Sequence, residues 1–251
     1  MYYAKLTPSG GSYSTEVTEF LSGVPLPLTN GIAGDDGALY FLTGGRRLGS
    51  ALYRVTYAGE RSAEIIEMTE NSAEKSTREL RRKLEALQSK DAADQIDFIL
   101  SNLDHKDRSI RYVARIALEN QEYSLWKDAI NKATSPESKA QISLSIARHG
   151  SDEDRINALN LLSKLDWTSF GESKKIDYIR SIDLLLTRSE DIPSGVKKAL
   201  IDSLLPRYLS ESQTLNKELC KILSYLQVSE IIAPTLEKME TDTIVTEDQK
   251  S

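Results

Sequence analysis

The sequence predicts a mainly α fold: an α-solenoid of stacked helix pairs, preceded by a short antiparallel β-sheet. Three observations carry this. Ten of the 13 glycines and eight of the 17 aromatic residues fall within residues 1–59. From about Asn71 the spacing of apolar residues changes from two to 3.6, the period of a helix with one buried face. The helical patterns then pair off at a loose interval of 30 to 40 residues, as stacked helical repeats do.

The β segment, residues 1–59, comes first. Its strand-like runs are Met1–Leu6, Thr15–Phe20, Gly37–Thr43 and Ser50–Tyr57, rich in Tyr, Val, Thr and Phe. Between them lie "TPSGGS", "GVPLPLTNG", "AGDDG" and "TGGRRLGS". Asp36-Gly37 supplies a left-handed position of the kind a tight turn needs. Four such strands predict one antiparallel sheet, the size of a single β-propeller blade.

Residues 60–90 read as a connecting helix and residues 91–240 as helical repeats. Ile96, Ile99, Leu100 and Leu103 form an i, i+3, i+4, i+7 stripe. Ile110, Val113, Ala114, Ala117 and Leu118 form a second, and Leu215, Leu219, Ile222, Leu223 and Leu226 a third. Asp107 is placed to cap the helix through Leu118, Pro136 fits a first turn, and Ser151 with Asp154 has capping-box spacing. Gly150 suits a helix end, and Pro206 should stop or kink its helix because it lacks a backbone donor. About nine helices result, in pairs beginning near Asp91, Glu122, Ser151, Pro193 and Ser229. Residues 241–251 are acidic and aperiodic and predict a frayed tail.

The net charge of −6 argues against a general binder of nucleic acid or anionic membrane, and belongs entirely to residues 60–251. The basic run Arg78–Lys83 sits among glutamates and reads as a solvated helix face. The lone cysteine, Cys220, excludes an intrachain disulfide and a multi-thiolate metal site, and its apolar neighbours suggest a small buried hydrophobe. No apolar run is long enough to span a membrane, and the opening residues lack the basic-then-apolar pattern of a signal peptide.

Candidate chemistry is sparse. Asn30, Asp35 and Asp36 imitate a calcium loop but lack alternating oxygen ligands, so a turn is expected. Gly44-Gly45-Arg46-Arg47 offers backbone N–H groups and guanidinium to an anion, and is the best binding candidate of the β segment. His105 and His149 lie at helix ends, where His149 suits the C-terminal dipole. Trp126 and Trp167 are expected in packing between repeats. Asp152 and Asp154 sit at a helix start, where carboxylates are favoured without catalysis. These readings assign no catalytic residue, no metal ligand and no cofactor-binding residue.

Two stretches carry a resemblance. "DRSIRYVARIAL" resembles the second helix of a HEAT repeat, through Asp107, Ile110, Arg111, Ala114 and Leu118, whereas a tetratricopeptide signature is missing. "PLPLTNGIAGDDGALYFLTGGRRLGSALYRVTYAG" resembles the closing blade of the six-bladed propeller in bacterial glucose/sorbosone dehydrogenase-like proteins, and "RYVARIALENQEYSLWKDAI" the HEAT-type region that follows it. The resemblance spans roughly residues 2–240. It implies a periplasmic or extracellular parent, an exported sugar or alcohol dehydrogenase using pyrroloquinoline quinone and calcium and passing electrons to a haem c domain. One blade cannot close a propeller, and no Cys-x-x-Cys-His is present. The chain is therefore expected to be a non-catalytic fragment of a truncated or split gene, with the missing blades or a protein partner beside it. The alternative is a free-standing HEAT adaptor whose β segment caps the first repeat.

Overall fold

A computed structural model describes residues 1–59, 71–89, 91–168, 170–209 and 211–241. The chain divides into two compact units, Met1–Arg78 and Glu79–Ser251. Most of the predicted tail, residues 242–251, and part of the predicted connecting helix, residues 60–70 and 90, lie outside the described residues.

The first unit holds five strands in two antiparallel sheets, where the sequence predicted four strands in one. Strand β1 (Tyr2–Ser9) pairs with β2 (Ser12–Glu19) around a Gly10-Gly11 turn. Strands β3 (Leu28–Ala33), β4 (Leu39–Gly45) and β5 (Leu48–Val55) form the second sheet, with β4 central. The missed strand is β3. Its flanking prolines with Asn30 and Gly31 read as a loop, but Asn30, Gly31, Ile32 and Ala33 register against Leu42, Phe41, Tyr40 and Leu39. Pairing with an apolar neighbour overrides weak local propensity. Alternation then divides the sheet: Phe41 and Thr43 are buried on one face, where Phe41 stacks on Tyr53 at 4.9 Å between ring centres. The other face leaves Ile32, Leu42 and Leu52 exposed.

The described residues contain ten α-helices: α1 (Ser72–Ala86), α2 (Ile96–Leu100), α3 (Arg108–Glu119), α4 (Ala129–Lys132), α5 (Pro136–His149), α6 (Asp152–Leu162), α7 (Glu172–Arg188), α8 (Ser194–Leu204), α9 (Gln213–Tyr225) and α10 (Ile232–Thr241). Helix α10 takes in Thr241, the first residue of the predicted tail. The caps fall where the sequence put them. Asp107 accepts from the backbone N–H of Ser109 at 2.7 Å and of Ile110 at 3.3 Å. Ser135 caps α5 ahead of Pro136, and Ser151 with Asp154 makes a reciprocal capping box on α6. Pro206 follows the end of α8 inside a single 3-10 turn, Leu205–Arg207. Gly150 ends α5, as the sequence suggested, without a left-handed backbone. Its φ is −76°, and glycine is needed there because a Cβ would lie 2.8 Å from the Ile146 carbonyl oxygen.

The first helix of the pair expected to begin near Glu122 is reduced to a 3-10 turn, Tyr123–Leu125, and the four-residue α4, while its second is the full-length α5. Trp126 interrupts the first. The indole is buried, donates from Nε1 to the Gln121 carbonyl at 3.3 Å and meets the Tyr123 ring edge-on.

Packing within the second unit is two-layered. Helices α3, α5, α7 and α9 stand side by side in that order. Helix α6 lies against α5 and α7, and α8 against α6 and α9. Ile110, Ala114 and Leu118 of α3 are fully buried, as are Ile99, Leu103, Leu159, Leu185, Leu219 and Leu223. Replacing Leu118 by Ala should cost about 2–5 kcal/mol, read from chemical denaturation. A loss under about 0.5 kcal/mol would show that the stripe is not core. A fragment beginning at Asn71 should keep strong helical circular dichroism and a cooperative melt; an unfolded fragment would place the strands in the same core.

Candidate interaction face

In the first unit the candidate residues resolve into turns. Gly37 has φ 74° and its N–H donates to the Gly34 carbonyl, closing the β3–β4 hairpin. The Asp36 carboxylate takes the Arg54 guanidinium (Nη2 at 2.8 Å, Nε at 3.2 Å), the Tyr40 hydroxyl at 2.8 Å and the Ala38 N–H at 3.1 Å. It is the anion of an Asp–Tyr–Arg cluster, and its oxygens are turned to donors. Among the described residues, no group of three or more His, Cys, Asp or Glu is arranged to hold a metal ion. Gly44 and Gly45 lie within β4, the Gly44 N–H is spent on the Pro27 carbonyl, and Arg46-Arg47 is a two-residue hairpin turn with Arg47 at φ 65°.

In the second unit the two tryptophans are core. Trp167 stacks on Tyr178 at 5.4 Å, and the Tyr178 hydroxyl donates to the Leu162 carbonyl at 2.9 Å, tying α7 to α6. Burial pushes the Tyr178 phenol up. His149 ends α5 with its ring 6.2 Å from Trp126, and His105 accepts the Asp107 N–H on Nδ1. Asp152 and Asp154 serve α6, Asp152 also accepting the Glu190 N–H at 3.0 Å. Cys220 is half-buried and lines a hollow of about 390 Å³ with Tyr208, Asn216 and Thr235. Near Arg78–Lys83, Arg81 pairs with Glu85 and Lys83 lies over the Phe98 ring.

The denser chemistry lies along the α3–α5–α7–α9 layer. Arg111 of α3 is buried; its Nη1 donates to the carbonyls of His105 and Lys106, and its Nη2 lies 3.7 Å from Asp177 of α7. Gln141 of α5, also buried, donates to the same Asp177 oxygen at 3.3 Å. Asp177 thus joins three helices. Glu119 of α3 accepts from Arg115 at 3.0 Å, from Arg148 of α5 at 2.8 Å and from the Ser145 hydroxyl at 3.3 Å. Glu137 of α5 pairs with Lys174 of α7 at 2.6 Å. Burial alone would raise its carboxyl, but the Lys174 hydrogen bond and charge hold it below the ordinary range. From α7 to α9 run Arg180–Glu218 at 3.0 Å and Asp183–Lys221 at 2.5 Å, with Lys175–Glu211 at 2.8 Å beside them.

These groups escaped a reading of apolar stripes and motifs. A signal was nevertheless present. Glu137/Lys174, Lys175/Glu211, Arg180/Glu218 and Asp183/Lys221 are opposite charges 37, 36, 38 and 38 residues apart. That spacing equals one helix pair. Comparison with protein-family models, with curated proteins and with solved structures finds no match.

Two tests follow. Replacing Asp177 by Ala strands the buried Arg111 and Gln141 donors and should destabilise the helical unit by about 1–3 kcal/mol. A double-mutant cycle with Gln141→Ala should show positive coupling, and additive effects would refute the shared anchor. Arg54, the Ala38 N–H and Tyr40 hold the Asp36 carboxyl at about 2, below the ordinary 3.8. The folded value is depressed, so its stabilisation is present above pH 4 and lost as pH falls through about 2. Tyr40 ring shifts in an NMR titration should move in that window and stop moving in Asp36→Asn.

Proposed function

We propose that this chain is a non-catalytic scaffold: a HEAT-like helical repeat array that presents its α3–α5–α7–α9 layer to a protein partner. The observation that carries the reading is the repeated register of the polar bridges. Side chains 36–39 residues apart meet again and again, from Gln141/Asp177 and Glu137/Lys174 to Arg180/Glu218 and the Tyr225 hydroxyl on the Leu186 carbonyl. A repeating unit of one helix pair produces that spacing, because each repeat contacts mainly its neighbours. The side-by-side order of α3, α5, α7 and α9, with α6 and α8 behind, supports it further.

The resemblance of the β segment to a closing propeller blade extends the proposal. The parent is then a propeller–HEAT protein of the glucose/sorbosone dehydrogenase type, exported, with quinone, calcium and haem c chemistry housed outside these 251 residues. The exposed Ile32, Leu42 and Leu52 suit a sheet that packs face to face on a neighbouring blade. The free-standing adaptor is the alternative, and the sheet separates the two: an adaptor needs no blades against that face.

Repeat arrays tolerate loss of a terminal repeat, whereas a single closed core does not. Truncation after residue 209, which removes α9 and α10, should leave a cooperatively melting helical protein with proportionately less signal. Collapse to an unfolded chain would refute the array. The purified chain should show no dye-linked oxidation of sugars and no micromolar binding of calcium or quinone by calorimetry. Turnover or tight binding would overturn the non-catalytic reading.

A further inference from the structure

The ion pairs along the helical layer are asymmetric. In each exposed bridge between its helices the cation lies further out than the carboxylate. Side-chain exposure is 42% for Arg148 against 7% for Glu119, and 33% for Lys174 against 22% for Glu137. It is 54% for Arg180 against 19% for Glu218, and 60% for Lys221 against 25% for Asp183. Lys and Arg are long, so reach alone accounts for part of this. The charge count is independent of reach. Helices α3, α5, α7 and α9 together carry 11 Lys and Arg against 6 Asp and Glu, a net of +5, in a chain whose total is −6. Positive charge is concentrated on one layer; Arg111 and Arg115 are buried within it, while Arg148, Lys174, Arg180 and Lys221 reach solvent. Asp177 and Arg180 occupy the side of α7 opposite Tyr178, Ile179, Ile182 and Leu186, the buried side that meets the second layer.

We propose that the solvent side of the α3–α5–α7–α9 layer binds an acidic, extended segment of a partner protein. The proposal rests on the scaffold reading and names the chemistry of its partner. Each cation is already held in place by the carboxylate beneath it, so little side-chain freedom is lost when a second carboxylate arrives. Donors remain for that carboxylate. Arg148 spends Nη1 on Glu119, Arg180 spends Nε and Nη2 on one oxygen of Glu218, and Lys221 spends one bond on Asp183. Helices packed about 8–10 Å apart put the cations of α5, α7 and α9 across roughly 20 Å, the reach of about six extended residues. The carboxylates between them are what distinguish this surface from a nucleic-acid site. A phosphate backbone carries a charge at every step and cannot avoid them, whereas a peptide can place Ser or Gly there.

The test uses the full chain and a fluorescein-labelled 12-residue peptide of alternating Glu and Ser, followed by anisotropy at low salt. Saturable binding is expected, weakened about tenfold or more between 50 and 300 mM NaCl as screening tightens. The triple variant Arg148→Gln, Arg180→Gln, Lys221→Gln should weaken binding about tenfold or more, because rim charges contribute cumulatively. Lys197→Gln with Lys198→Gln, exposed cations of α8, should change it less than about twofold. Should the triple variant lose its helical signal, Arg180→Gln and Lys221→Gln are read singly. A folded chain that shows no saturable binding, an unaffected triple variant, or tighter binding of a 12-nucleotide single strand each overturns the proposal. None of these touches the repeat array itself, which stands or falls with the truncation.

Discussion

The helical unit depends on the near-complete burial of α5. This helix meets α3, α4, α6 and α7, and Ser138, Ala140, Gln141, Ile142, Ser143, Ser145, Ile146 and Ala147 are all buried. A helix covered on nearly every side cannot have one apolar stripe and one wet face. It needs small side chains where neighbours approach closely, even at the cost of the Ser143 hydroxyl, which is buried with no hydrogen-bond partner among the described residues. Ala140, Ser143 and Ala147 meet that need. Gln141 and Ser145 reach partners, bonding to Asp177 and to Glu119. Once α5 is enclosed in this way, α3 and α7 are fixed on its two sides and the layer has its order.

The sequence made the amphipathic parts of the fold legible. Helix α3 shows a clean stripe from Ile110 to Leu118, and that stripe is buried as read. Asp107 and Ser151 announced their helices because a capping side chain acts within three residues of itself, a distance that sequence inspection covers. Strand β3 was hidden for the opposite reason: what makes "LTNGIA" a strand is Leu39–Gly45, several residues further on. The bridges of the layer were hidden for lack of the right ruler. Asp177 and Gln141 look like ordinary surface residues until the chain is laid out at the interval of a helix pair.

Polar groups in the helical unit are divided between its interior and the solvent side of the layer. Trp126, Trp167 and Tyr178 are spent inside, the Trp126 indole and the Tyr178 hydroxyl each donating to a backbone carbonyl. Gln121 does similar internal work, accepting the Ala92 N–H at 2.8 Å and donating to the Leu87 carbonyl at 3.0 Å, so that the turn before α2 is tied to the end of α3. The polar chemistry left over lies on the solvent side of the layer, in groups that already join helix to helix. Along the layer these charges recur at the interval of one helix pair.

The bridging at Asp177 also gives the layer a mechanical grain. Between α3 and α7 the brace at Asp177 is sheltered: the Arg111 side chain is 5% exposed and reaches over an entire helix. Between α7 and α9 two of the braces, Arg180–Glu218 and Asp183–Lys221, end in cations more than half in water, where ions and solvent compete for them. Rising ionic strength should therefore loosen the Arg180–Glu218 and Asp183–Lys221 braces before it reaches the sheltered Arg111–Asp177 one.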